Sequence, residues 1–209
     1  MTKKTQKGGQ PWWQRRRVQR RLAAVASLAL AMGIIAWLVA RGGADSGPKQ
    51  YFVEPASTFT LPTIAGDEVS LADHLGRHTA LLYFSEGIGC APCFDQIVDL
   101  EADWDRFAAL NVEMVSVMVD PMEELKPEIA SRGITGIVAA DEDKSVSWEY
   151  DAMEASMHPG VKPGHTFVLV NKAGEMIWRW DWIGHGKPMY VEVDDVYKDV
   201  STWLQKAGT

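Results

Sequence analysis

The sequence has little cysteine: Cys90 and Cys93 are its only two. Two cysteines cannot build the disulfide framework of a small secreted domain. A zinc site would need another cysteine pair or a Cys-His set, and the 5 histidines are scattered along the chain. A structural disulfide remains an alternative, but a ring this short gains little from loop closure. The pair therefore favours redox chemistry, and we predict neither a metal nor a cofactor.

Acidic residues are absent from residues 1–44, and basic residues are scarce afterwards. Nine of the 21 Lys and Arg residues lie in residues 1–44. Residues 45–209 therefore hold 12 basic residues against all 28 acidic ones, a formal charge of −16. A surface this acidic repels phosphate backbones, so we expect no nucleic-acid partner.

Charge is also absent from residues 22–40, an apolar run of about bilayer length. We predict a basic cytoplasmic tail at 1–21, a transmembrane anchor at 22–40, a Gly- and Pro-containing linker at 41–55 and one domain at 56–207. The arginines before the run place the N-terminus in the cytoplasm, so this single-pass cell-membrane protein would carry its domain outside the cytoplasm. A signal peptide cleaved after Gly43-Ala44 and a twin-arginine signal are weaker alternatives. A buried core helix does not fit, since no face of the run is polar.

Alternating patterns of short apolar runs and helical spacing predict an α/β domain with a mixed sheet. A hairpin is predicted at 58–62 and 68–71. Further strands are predicted at 79–84, 112–119, 137–140, 165–170 and 175–183, and helices at 94–110, 121–132, 144–150 and 191–206. Met114 and Met118 are expected in the core. Trp178, Trp180 and Trp182 alternate and are expected to share one packed sheet face.

The informative motif is Cys90-Ala91-Pro92-Cys93, which follows a buried strand and a Gly-punctuated loop and opens a helix. Thiolate is the reactive species, and the N–H groups at a helix N-terminus favour an anion. We expect Cys90 to be an exposed nucleophile at that terminus and Cys93, three residues on, to close the ring. Pro92 fits the first helical turn, where its missing N–H costs nothing.

Together with the downstream segment 166–174 (TFVLVNKAG), this motif resembles the thioredoxin superfamily, and more narrowly the membrane-anchored redoxins of the AhpC/TSA and TlpA/ResA type. The resemblance covers about residues 52–206 and implies a thioredoxin-like fold, a mixed central sheet flanked by helices. It implies that Cys90 attacks and Cys93 resolves. The implied activity is thiol-disulfide exchange with protein thiols or disulfides outside the cytoplasm, in some relatives for cytochrome c maturation. A membrane or soluble thiol would be the reductant or oxidant.

Two positions depart from that family. The cis-proline expected two residues before Thr166 is replaced by Gly164, with Pro163 one residue earlier, so either the register shifts or the cis-proline is absent. The peroxidatic motif Pro-x-x-x-Thr/Ser-x-x-Cys is also missing, because counting back from Cys90 gives Gly87 and Tyr83. A peroxiredoxin-like thiol peroxidase therefore remains an alternative without its motif.

Two further residues are candidate accessory groups. Glu86 precedes Cys90 by four positions and could accept a proton, although a solvated loop acid is the interpretation that we favour. His165 begins the strand expected beside the redox pair, where it could stabilise a thiolate. With both cysteines it could instead bind copper in a metallochaperone module, although such modules usually carry a CxxxC spacing. A histidine at the strand end, on the rim of the sheet, is the interpretation that we favour over a ligand.

Overall fold

The computed structural model describes Met32, residues 53–185 and residues 189–208. Met32 lies in a helix; the remainder of the predicted tail, anchor and linker up to residue 52 lies outside the described residues. Among the residues that are described, no helix combines the length and apolarity needed to cross a membrane. The described residues from 53 onward belong to one compact unit, Ser46–Thr209.

A six-stranded mixed sheet forms the centre, in the order β1-β8-β7-β4-β5-β6. Strands β4, β5 and β6 are parallel, whereas β7 is antiparallel to β4, β8 to β7 and β1 to β8. A separate antiparallel pair, β2-β3, lies outside this sheet. The strands are β1 Glu54–Pro55, β2 Thr60–Pro62, β3 Glu68–Ser70, β4 Thr79–Phe84, β5 Val112–Met118, β6 Ile137–Ala140, β7 Thr166–Val170 and β8 Glu175–Asp181.

Helices connect and cover the strands. They are α1 Leu71–His74, α2 Ala91–Ala102, α3 Trp104–Ala109, α4 Met122–Arg132, α5 Ser145–Glu149, α6 Trp182–His185 and α7 Val193–Ala207. Helices α4 and α7 each end at a glycine in the left-handed conformation, Gly133 and Gly208, which glycine adopts without a Cβ clash.

The two faces of the sheet carry separate cores because successive strand side chains point to opposite sides. On β4, Leu81 and Tyr83 belong to one core, together with buried residues of α2, α4 and α7. Leu82 and Phe84 belong to the other, which packs beneath the β2-β3 pair and α5. All six residues of β4 are buried, which explains its uninterrupted apolar sequence. The thioredoxin-like α/β fold with a mixed sheet is therefore confirmed.

Three local predictions differ from the structure. The helix predicted over 94–110 is broken at Asp103 into α2 and α3. The linker predicted to end at residue 55 includes the strand β1, whose two residues pair with Glu175 and Met176 and are too few to give a periodic pattern. The last strand ends at Asp181, and Trp182 starts a short helix instead.

The predicted core positions hold elsewhere. Met114 and Met118 are buried in the core, as are Trp178 and Trp180 on β8. Trp182 is half-buried beyond the strand, and its indole N–H donates to the Ala155 carbonyl at 3.0 Å. The expected tryptophan face is therefore confirmed for two of its three members.

Candidate active site

The strand order gathers the candidate residues at one edge of the sheet. The chain leaves β4 at Phe84, and Phe84 pairs with Thr166 at the start of the antiparallel strand β7. The residues that follow β4 therefore meet those that precede β7. Cys90 and His165, which are 75 positions apart in sequence, consequently belong to the same end of the sheet.

Cys90 and Cys93 form a disulfide, with their Cα atoms 5.3 Å apart. Cys90 is the N-cap residue of α2, and the Cys93 N–H donates to the Cys90 carbonyl at 3.2 Å. Pro92 lies in the first turn of the helix, as predicted. The pair thus lies at the positive end of the α2 dipole, which favours a thiolate there once the disulfide is reduced.

The two cysteines differ less in exposure than the sequence suggested. Cys90 is 4% exposed and Cys93 is fully buried, so the expectation of an openly exposed Cys90 is wrong. Its neighbours Gly89 and Ala91 are exposed, and Ile88 and Pro92 are half-buried. Cys90 is therefore a nearly buried residue whose immediate neighbours in the chain reach the surface.

A tyrosine and a histidine form a buried pair behind the disulfide. The Tyr83 hydroxyl makes a short contact with His165 Nε2 and lies 3.4 Å from the Cys93 carbonyl oxygen. Both side chains are fully buried, and their rings are tilted against each other with centroids 4.8 Å apart. Tyr83 was not among the predicted site residues, because within TALLYF it has the pattern of an ordinary core aromatic.

Burial keeps this pair uncharged. Desolvation lowers the pKa of His165 to about 3. Desolvation, with a further contribution from the charge of Glu86, raises the pKa of Tyr83 well above its usual value. His165 Nδ1 is buried without a hydrogen-bond partner. His165 is thus a buried, neutral side chain: it is neither a histidine at the exposed rim of the sheet nor a cation that attracts a thiolate.

Glu86 is buried as well. Only 7% of the residue is exposed, and its Oε1 has no hydrogen-bond partner. The favoured interpretation of Glu86 as a solvated loop acid is therefore wrong. The loop that follows β4 turns inward here, and the Ser85 N–H continues the pairing with β5 by donating to the Val117 carbonyl at 3.2 Å. The Glu86 carboxylate thus lies close enough to contribute to the raised pKa of the Tyr83 hydroxyl.

The comparisons with known proteins decide the family. The sequence model of the AhpC/TSA family matches residues 53–179, more than half of the chain. The chain belongs to the AhpC/TSA family. A Mycobacterium tuberculosis protein provisionally named a peroxiredoxin is 30% identical to it over 128 residues, which cover 59% of this chain and 80% of that protein. As a member of this family the chain is a thiol-based oxidoreductase.

Solved structures support the fold of this AhpC/TSA protein. The reduced 2-Cys peroxiredoxin of Plasmodium vivax matches with a TM-score of 0.63 at 20% identity, over 74% of this chain and 97% of that one. The peroxidoxin BcpB of M. tuberculosis gives a TM-score of 0.62 at 13% identity, over 72% and 96%. A Bacteroides thetaiotaomicron protein provisionally named a protein disulfide isomerase gives 0.58 at 17% identity, over 76% and 93%.

The AhpC/TSA chain lacks a cis-proline beside its disulfide. All peptide bonds of the described residues are trans, Pro163 included, which decides between the two predicted alternatives. Gly164 has a packing role instead. Its N–H donates to the Ala152 carbonyl at 2.8 Å, and a Cβ at this position would lie 1.5 Å from the Ala155 carbonyl oxygen. Only glycine fits where the loop closes on itself.

The copper alternative finds no support in the geometry. His165 Nε2 is engaged by Tyr83, which lies between the histidine and the Cys93 backbone. Within residues 53–185 and 189–208, no three His, Cys, Asp or Glu side chains lie close enough to hold a metal ion.

Proposed function

We propose that this domain is a thiol-disulfide oxidoreductase that exchanges disulfides with partner proteins through Cys90 and Cys93. One observation carries the proposal: the two sulfurs are bonded within the first turn of a helix whose N-cap is Cys90. This geometry combines a site that stabilises thiolate with a resolving sulfur already in bonding reach.

In the reducing direction, the Cys90 thiolate attacks one sulfur of a partner disulfide. The partner bond breaks, its second sulfur leaves as a thiolate that takes up a proton, and a mixed disulfide forms on Cys90. Cys93 loses its proton and attacks the Cys90 sulfur, which releases the remaining partner sulfur. The partner gains two electrons and two protons, and the pair ends as the disulfide seen in the structure. The reverse sequence oxidises a partner dithiol.

Cys90 is expected to be the residue that the partner meets. Its neighbours Gly89 and Ala91 are exposed, whereas Cys93 is fully buried and adjoins the Tyr83 hydroxyl through its carbonyl. A partner disulfide approaching the exposed stretch therefore reaches Cys90 first. The strongly acidic composition of residues 45–209 favours partners with a basic contact surface.

The exchange is tested by insulin reduction with the purified full chain and a dithiol donor. Cys90→Ser should abolish turnover because no attacking thiolate remains. Cys93→Ser should accumulate mixed disulfides on Cys90, which can be captured and identified. Ser131→Ala, an exposed change on α4, serves as the matched control. Full turnover by Cys90→Ser would contradict the proposal.

A thiol peroxidase is the second candidate, favoured by the AhpC/TSA match and by the relative named as a peroxiredoxin. Here the Cys90 thiolate would attack one oxygen of hydrogen peroxide, which breaks the O–O bond, oxidises Cys90 to a sulfenic acid and, with uptake of a proton, releases water. Condensation of the sulfenic acid with the Cys93 thiol would then give the same disulfide and a second water. Peroxide consumption with a thiol donor separates the two functions. The peroxidase would be favoured if the wild-type protein consumes peroxide, Cys90→Ser does not, and neither protein reduces insulin.

We further propose that the domain is tethered outside the cytoplasm by residues 22–40. The support is the uncharged 19-residue run and the arginines that precede it. Protease treatment of intact spheroplasts should degrade the domain and spare a cytoplasmic control protein. Protection of the domain until the membrane is lysed would contradict this topology.

A further inference from the structure

Asp120 and Lys162 form an ion pair that binds both backbone polar groups of Ile88, close to the disulfide. We call this pair the clamp. The Ile88 N–H donates to Asp120 Oδ2 at 3.0 Å, and Lys162 Nζ donates to the Ile88 carbonyl at 2.6 Å. The same ammonium donates to Asp120 Oδ1 at 2.8 Å, which closes the arrangement. Ile88 lies two residues before Cys90, so this clamp acts on the loop that presents the nucleophile.

The clamp continues to Cys90 through Gly87. A Cβ on Gly87 would lie 1.9 Å from Asp120 Oδ2, so the backbone here is in direct contact with the carboxylate. Gly87 has a φ of 67°, a backbone conformation that residues other than glycine rarely adopt. Its carbonyl accepts the Cys90 N–H at 3.0 Å. A continuous series of contacts thus runs from Asp120 to the backbone of Cys90.

Three distant segments meet in this clamp. Asp120 follows β5, Ile88 follows β4, and Lys162 lies in the loop that leads to β7. The Asp120 side chain is 9% exposed and the Lys162 side chain 26% exposed, so water screens the pair only partly. Hydrogen bonds to charged partners are roughly twice as strong as neutral ones. The clamp therefore has the strength and the location to fix the loop.

We propose that Asp120 and Lys162 are positioning residues that hold residues 87–88 in the conformation from which Cys90 closes its ring with Cys93. This inference rests on the proposed exchange function and names a determinant of its redox equilibrium. Ring formation depends on the effective concentration of one sulfur at the other, which falls when the loop before Cys90 can move. Loss of the clamp should therefore make the disulfide easier to reduce.

The test is the equilibrium between the full chain and glutathione. Protein dithiol and oxidised glutathione exchange to give protein disulfide and two reduced glutathione molecules, and thiol alkylation with mass spectrometry gives the reduced fraction. In Lys162→Met and Asp120→Ala, the equilibrium constant for forming the protein disulfide should fall about fivefold or more. Lys162→Arg should recover most of the loss, since a guanidinium can donate to both oxygens. In the double variant, this equilibrium constant should fall by less than the product of the two factors seen in the single variants, because the pair acts as a unit.

Lys126→Met is the matched control, because Lys126 also pairs with a carboxylate, Glu123, but on the surface of α4. It should keep the wild-type constant. Asp120→Asn and Lys162→Met carry the test should Asp120→Ala not fold. Two results would overturn the inference in a protein whose wild-type form exchanges with glutathione. One is an equilibrium constant for the clamp variants within twofold of wild type, and the other is a disulfide that becomes harder to reduce. A wild-type pair that does not equilibrate with glutathione at all would instead overturn the proposed function.

Discussion

Stability at acid pH should depend on one buried histidine. His165 is fully buried, and burial lowers its pKa from 6.5 to about 3. It faces the Tyr83 hydroxyl, with Glu86 close enough to act on that tyrosine. Between these two pKa values the unfolded chain binds a proton at His165 that the folded protein excludes. The contribution of the neutral His165 to the free energy of unfolding is therefore fully present above the unfolded pKa of about 6.5. It is lost as the pH falls from about 6.5 toward 3.

The magnitude follows from the two pKa values. One unit of pKa difference corresponds to about 1.4 kcal/mol, and pH 4.5 lies about two units below the pKa of His165 in the unfolded chain but above its pKa in the folded protein. His165 should thus lower the free energy of unfolding by about 2.5 kcal/mol between about pH 7.5 and pH 4.5. In His165→Gln the amide can still form a hydrogen bond with the Tyr83 hydroxyl but does not titrate, so this part of the decline should vanish.

Urea unfolding of the oxidised protein at both pH values measures the effect. The informative quantity is the difference between wild type and His165→Gln, because the other titratable groups contribute equally in both proteins. His158→Gln, a change in an exposed loop position, should decline as wild type does. The reasoning is refuted if His165→Gln loses as much stability as wild type on acidification.

Two further substitutions test tertiary packing and the start of α5. Gly164→Ala should destabilise the protein by about 3 kcal/mol in urea unfolding, because the new Cβ would lie 1.5 Å from the Ala155 carbonyl oxygen; a cost below about 1 kcal/mol would mean that the loop yields freely. Asp141→Ala should cost about 2 kcal/mol in the same assay, because the buried carboxylate accepts the N–H groups of Val146 at 3.2 Å and Ser147 at 2.7 Å at the start of α5. An unchanged denaturation midpoint for Asp141→Ala would contradict that role.

The local sequence pattern was sufficient to predict the strand before the redox pair and the helix that begins at it. The bounds of β4 and β6 match the prediction, because fully or largely buried strands have uninterrupted apolar sequences with clear ends. Cys90 at the start of α2 also matches, since a glycine loop followed by Cys-x-x-Cys and a helical repeat has few other conformations. The break at Asp103 was not predictable in this way, because the apolar spacing continues through it into α3.

The sequence by itself thus determined the α/β class, the redox pair and its helix, each of which depends on residues close together in the chain. Only the tertiary structure decided what surrounds the pair. Tyr83 and His165 meet across 82 positions, and Lys162 reaches Ile88 across 74. These contacts exist because β7 lies beside β4 in the sheet, and strand order leaves no trace in local periodicity. Burial of Glu86 and the need for glycine at 164 follow from the same long-range packing.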